Sequence, residues 1–234
     1  MEKGVGPVVA LTGAGVSAES GVPTFRDAGG LWRNFRPEQL ATPAAFRRDP
    51  KLVWEWYNWR RELIGQCTPN AAHETLAQME AELPDFCVVT QNVDGLHQAA
   101  GNERVLELHG NIWRVRCENC HTSLEYHQTP LPEMPLHCLA CEDVLRPDVV
   151  WFGESLSQVI LEAAWAAAAR CRLMLVIGTS AVLQPAASLP LLARRNGARL
   201  IEVNPNETPL SPHAHEVLRG PAAELLPEWW ASQR

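Results

Sequence analysis

The chain has 234 residues, 46% hydrophobic and 20% charged, so it can bury a sizeable core as one large domain or as a domain carrying an insertion. Its formal net charge of −7 argues against direct nucleic-acid binding, which needs a basic face. The longest low-charge stretch, 163–193, is broken by Arg170, Arg172, Gly178 and two prolines, so no membrane span is expected. The apolar run at 7–15 is short and runs into glycines, so no signal peptide is expected either and the chain reads as cytoplasmic.

In chain order, the apolar run "PVVALT" predicts a first strand that feeds "GAGVSA", a G-x-G-x-x-A loop. Glycines there permit a tight turn and let backbone amides approach a pyrophosphate. The acidic second-strand residue of hydride-transfer enzymes is missing, and the chain continues as "ESGVPTFRDAGGLW". Residues 31–69, rich in Trp, Arg and Pro, read as short helices inserted into the sheet domain. Within them Tyr57 and Arg60 stand one helical turn apart. Trp54, Trp56 and Trp59 are expected to pack, and Arg61, about 100° round the helix from Arg60, is expected to face elsewhere.

A helix is predicted over 70–83, then a strand in "FCVVTQN" that ends beside Gln91, Asn92 and Asp94. "VLELHGN" presents His109 as a candidate base, whereas His97 is read as structural. Residues 113–146 form a small module holding Cys117, Cys120, Cys138 and Cys141, two C-x2-C pairs separated by 17 residues. That spacing suits a closed tetrahedral zinc site with no open position for water, so the metal is structural. Two disulfides or redox pairs are the alternative, and Cys67, Cys87 and Cys171 read as free buried thiols.

Further helices are predicted over 157–171 and 185–197, further strands in "LMLVIGTS" and "ARLIEVNPN", and a last helix in "PAAELLPEWWASQ" packed by its tryptophans. Unbroken apolar runs alternating with helices imply an α/β fold with a parallel sheet and helices on both faces. "GAG", "QNVD", "GTS" and "NPN" each follow an apolar run, so all four belong at the carboxyl edge of that sheet, where such folds bind ligands.

"GAGVSAESGVPTFRDAGGLW", "TQNVDGLHQAAG", "ELHGN", the two C-x2-C pairs, "VVWFGE", "GTS" followed by "PAA", and "EVNP" together resemble the sirtuins, NAD-dependent protein-lysine deacylases. The resemblance spans nearly the whole chain. It implies a Rossmann-like NAD-binding domain from 1–30, 70–112 and 147–234, with 31–69 lining an acyl pocket and 113–146 binding one structural Zn2+. It implies that Gly13, Ala14, Gly15, Glu19, Thr24, Phe25, Arg26 and Trp32 wrap NAD. Gln91, Asn92 and Asp94 would hold its nicotinamide end, and Gly178, Thr179, Ser180, Asn204 and Ala222 its phosphate and adenosine side. His109 would be the general base, acting on the ribose hydroxyls, with nicotinamide, acyl-ADP-ribose and free lysine as products.

Val149, Trp151, Phe152, Gly153 and Glu154 would bind the acylated lysine substrate, a protein or peptide, by strand addition. The Tyr57–Arg60 pair, with the small Ala41 before it, resembles the branch that removes malonyl, succinyl and glutaryl groups. A guanidinium and a phenol suit a carboxylate. A general deacetylase, a protein ADP-ribosyltransferase using the same NAD site, and a non-enzymatic NAD- and zinc-binding interaction protein are the alternatives. The chain is expected to be a monomer that binds neither nucleic acid nor membrane.

Overall fold

The computed structural model of the protein describes residues 6–23 and 37–234. Strand β1 (Val8–Thr12) is buried along its whole length, as a central parallel strand must be. It turns at Gly13 into a 3-10 helix (Ala14–Ser20). Helices α1 (Pro37–Leu40), α2 (Pro43–Arg48) and α3 (Pro50–Ile64) follow. Proline at the start of α2 and α3, with Thr42 and Asp49 side chains accepting from the Ala45 and Leu52 amides, sets where these two begin.

Helix α4 (Ala71–Glu82) starts at an Asn70 cap whose box is closed by His73 in place of the usual Glu or Gln. The chain continues through β2 (Phe86–Thr90), α5 (Leu96–Ala99) and β3 (Val105–Glu107). It then leaves the main sheet for β4 (Gly110–Cys117), β5 (Ser123–Glu125) and β6 (Leu145–Val149), which form an antiparallel sheet. It returns as α6 (Gln158–Arg170), β7 (Leu173–Ile177), α7 (Leu189–Arg195), β8 (Arg199–Val203), β9 (Glu216–Leu218) and α8 (Ala222–Ser232).

The main sheet runs β3-β2-β1-β7-β8-β9, every pair parallel. Counted within that sheet this is the doubly wound order, with its switch point between β1 and β7. Alternate residues of one strand enter different cores. Val8 and Ala10 meet Leu76 of α4 and Trp230 of α8, whereas Val9 and Leu11 meet Ala168 of α6 and Ala193 of α7. Helices on both faces explain why the strands read as unbroken apolar runs and not as alternation. Strand β9 was not foreseen; three half-exposed residues at a sheet edge leave no apolar run to detect.

A further core joins the inserted helices to the antiparallel sheet: Trp54, Tyr57 and Ile64 pack with Val115, Leu136, Leu145 and Trp151. The segments expected as two separate pieces share this core, because neither alone encloses enough apolar surface. One stripe of α3 is bolted to the antiparallel sheet and to the segment that follows β5. Trp54 Nε1 donates to the Leu145 carbonyl at 2.7 Å, Asn58 Oδ1 accepts from the Leu131 amide at 2.7 Å, and Arg61 donates to the carbonyls of Ile112, Tyr126 and Gln128. Arg61 does face away from Arg60, but into the protein, where it is fully buried beside the Trp113 ring. Among the described residues no helix is long and apolar enough to cross a membrane.

Candidate active site

The carboxyl ends of β1, β2, β7 and β8 bring the predicted loops together. Gly178 sits at φ 60°, and a Cβ there would lie 2.3 Å from the Val16 amide nitrogen, so the β1 and β7 loops approach more closely than any side chain allows. The Gly15 amide donates to the Gly178 carbonyl at 2.8 Å, and the Gly13 amide to the Ile177 carbonyl at 3.0 Å. This changes the reading of the glycine loop. The amides expected to face a pyrophosphate instead seat one loop on the other. The Val16 amide returns to the Gly13 carbonyl, so the Ala14 amide is the donor this turn leaves for an anion, at a helix start whose N-cap Gly13 makes no side-chain bond.

Neighbouring side chains lock the same loops. Gln91 Nε2 donates to Thr179 Oγ1 at 2.9 Å, and Asn204 Nδ2 to the Thr179 carbonyl at 2.7 Å. Ser180 lies half-buried beside them. Glu19 accepts from the Ala223 amide at 2.9 Å, which brings it to the start of α8 next to Ala222. Its carboxylate therefore caps a helix, a structural task the sequence did not suggest. Thr24, Phe25, Arg26 and Trp32 lie outside the described residues.

His109 lies in the turn between β3 and β4 and is half-buried. Its Nδ1 lies 2.8 Å from the Gln91 carbonyl oxygen, which can only accept, so Nδ1 carries the hydrogen and Nε2 keeps a lone pair. Burial lowers its pKa, against a smaller raising effect of that bond, so the ring is neutral at pH 7. A neutral imidazole with a bare Nε2 is the form a general base needs.

Asp94 is buried, and burial raises its pKa although the Leu96 amide and Ser17 hydroxyl donate to it. Ser17 Oγ in turn accepts from Asn92 Nδ2 at 3.1 Å and from His73 Nε2 at 3.3 Å. The sequence reading missed Ser17 and His73. Ser17 lies inside the glycine loop and His73 looked like part of an ordinary helix start, and only the fold joins them behind Asp94. His97 is structural as expected: it is buried, with Nε2 2.9 Å from Thr12 Oγ1.

On the other wall, Tyr57 and Arg60 are 2% and 5% exposed, which removes the possibility that they decorate the surface. The Tyr57 hydroxyl accepts from Trp151 Nε1 at 2.9 Å, and the Arg60 guanidinium lies 4.9 Å from the Trp56 ring centre. Burial raises the Tyr57 pKa and lowers that of Arg60. Ala41 is buried, and its carbonyl accepts from the Phe152 amide at 3.0 Å.

Val149 and Trp151 are buried, whereas Phe152 is 52% exposed beside the exposed Gly153. The amides of Val150, Trp151, Phe152 and Glu154 all have partners within the chain. Strand addition by a peptide is therefore restricted to the carbonyls and the Gly153 amide. The Glu154 carboxylate, expected to bind substrate, is held by Arg146 and the Trp151 amide and shapes the loop from inside.

The sulfur atoms of Cys117, Cys120, Cys138 and Cys141 lie within 4.8 Å of one another, and every cysteine of the chain is a free thiol. The near contacts are between the two pairs, Cys117 with Cys141 and Cys120 with Cys138, each at 3.5 Å, too long for disulfides. Zn–S bonds of about 2.3 Å place tetrahedral sulfurs roughly 3.8 Å apart, so the donor set fits one zinc.

The Sir2 family matches residues 13–185. The NAD-dependent protein deacylase of Aquifex aeolicus is 56% identical over 204 residues, 87% of this chain and 85% of that relative. Among solved structures, an ADP-ribose complex of a Sir2 homologue variant superposes with a TM-score of 0.92 at 48% identity, covering 96% of this chain and 90% of that one. A Sir2 homologue bound to NAD superposes with a TM-score of 0.91 at 49% identity, covering 96% and 88%. A crevice with an uncapped helix start, amide and hydroxyl groups and a neutral imidazole fits such a dinucleotide. The chain belongs to the Sir2 family.

Proposed function

We propose that this NAD-dependent protein deacylase prefers acyl groups ending in a carboxylate, such as succinyl and malonyl, over acetyl. One observation carries this reading. Arg60 is almost wholly buried, and among the described residues it has no ion pair and its Nε has no hydrogen-bond partner. A guanidinium stays charged in a protein, and burying one unpaired is costly. Asp94 acts on it only through longer-range attraction. A substrate carboxylate would supply the missing counterion. The Tyr57 hydroxyl already accepts from Trp151, so its own hydrogen is left for that carboxylate. Ala41 leaves room by being small.

NAD, when bound, supplies the ribose that accepts the acyl group and a nicotinamide leaving group. Gln91, Asn92 and Asp94 would face its nicotinamide end, and the loops at 13–15 and 178–180, with Asn204 and Ala222, its other end. His109 takes a proton at Nε2 while the Gln91 carbonyl holds Nδ1–H and keeps the ring oriented. The zinc would hold the cysteine turns and take no part in the chemistry.

A charge-assisted bond in such a pocket is worth about 1.5–3 kcal/mol, or roughly ten- to a hundredfold in selectivity. The test compares one peptide carrying acetyl- or succinyl-lysine with the wild type and Arg60→Met, which keeps the bulk and removes the charge. Succinyl should be favoured, and the substitution should erase that preference while sparing deacetylation. Equal or better turnover of acetyl by both proteins would refute the carboxylate clamp.

A further inference from the structure

Arg146, on β6, is fully buried, and its polar partners converge on one segment. Its two terminal nitrogens donate to both Glu154 oxygens, at 2.6 and 2.9 Å, and one also reaches the Val149 carbonyl at 3.0 Å. Its guanidinium carbon lies 3.3 Å from the centre of the Trp151 ring. One side chain thus holds both ends of the 149–154 loop and the indole between them. Glu154 extends the hold by accepting from the Trp151 amide at 2.8 Å. The ring so placed aims Nε1 at the Tyr57 hydroxyl, 2.9 Å away. On its other side Arg146 donates to Glu118 Oε1 at 2.7 Å, and Glu118 lies in the first cysteine turn, between Cys117 and Cys120.

We propose that Arg146 is a positioning residue for the substrate: it sets the 149–154 loop for the peptide and, through Trp151, orients the Tyr57 hydroxyl towards the acyl chain. Stability alone does not account for it. Well-packed apolar residues often replace a buried ion pair without loss, whereas a planar fork bonded at both ends fixes orientation. The Tyr57 half of the proposal rests on the carboxylate reading above, and the peptide half does not.

The test uses the zinc-loaded protein with Arg146→Lys, which keeps the charge and loses the fork. KM and kcat are measured for acetyl and succinyl peptides at saturating NAD, alongside calorimetric affinities for peptide and for NAD. Peptide KM and Kd should rise about tenfold, the equivalent of one charge-assisted bond, with NAD affinity unchanged and kcat within about threefold. The succinyl-to-acetyl ratio should also fall. Glu118→Gln, at a half-exposed side chain, should raise the same KM about two- to threefold and decides the matter if the lysine variant does not fold.

An unchanged acetyl-peptide KM in the folded variant overturns the proposal, as does a fall in kcat at constant KM, which signals only fewer active molecules. A wild type with no taste for succinyl would sink the clamp, yet the acetyl-peptide KM would still judge Arg146.

Discussion

Lowering the pH from 7.5 to 5 should destabilise the fold through two histidines that lie behind the active site. The His73 and His97 rings sit 4.9 Å apart, both buried. Burial lowers His73 from 6.5 to about 4, and burial together with the neighbouring His73 lowers His97 to about 3. Both are therefore neutral in the native state, whereas the unfolded chain protonates them below about 6.5. Their stabilisation is complete above pH 6.5. It is lost as pH falls, down to about 4 for His73 and about 3 for His97.

Between pH 6.5 and 5 neither native ring titrates, so each costs about 1.4 kcal/mol per pH unit, or roughly 2 kcal/mol by pH 5. The pair loses about 4 kcal/mol, a large part of a typical folding free energy of about 5–15 kcal/mol. His109 adds to the loss, since burial lowers its pKa too, and Asp94 opposes it, since burial raises its own. Urea unfolding of the zinc-loaded protein at pH 7.5, 6.5 and 5 measures the slope. His97→Gln, whose amide can still donate to Thr12, should lessen the loss by about 2 kcal/mol. Parallel pH dependence in the two proteins would mean that water reaches the ring and would refute the reasoning.

Three other outcomes bear on the site. His109→Ala should lower turnover by at least about a hundredfold while NAD affinity and melting temperature hold, and retained turnover would remove His109 as the base. Because burial depresses the His109 pKa, the acid limb of kcat/KM in the wild type should lie below pH 6.5, and a limb above it would contradict the neutral imidazole. Chelating the metal should collapse the lobe that packs Cys117 and Cys138 with Trp54 and Tyr57, seen as changed tryptophan fluorescence with loss of activity. A stable, active metal-free protein would contradict the structural role.

The sequence by itself determined the layered α/β architecture, the four-cysteine cluster and the edge of the sheet where the candidate site gathers. These are local properties: apolar runs, helix periods, caps and a C-x2-C spacing leave marks within a few residues of one another. His109 was legible because it follows an apolar run and precedes a glycine. Only the tertiary structure decided the rest. Ser17, His73 and Asp94 meet through hydrogen bonds that cross 56 and 77 residues of chain. Nothing near Arg146 in the chain singles it out, and only the fold closes Glu118, Glu154 and Trp151 around it. The glycine amides of the first loop looked free because nothing near them in the chain reveals that the β7 loop occupies them. Tyr57 and Arg60 have the same i, i+3 spacing that a solvated helix face has, and only burial tells the candidate site from such a face. Burial and long-range pairing are set by which surfaces meet, and a linear pattern does not record that.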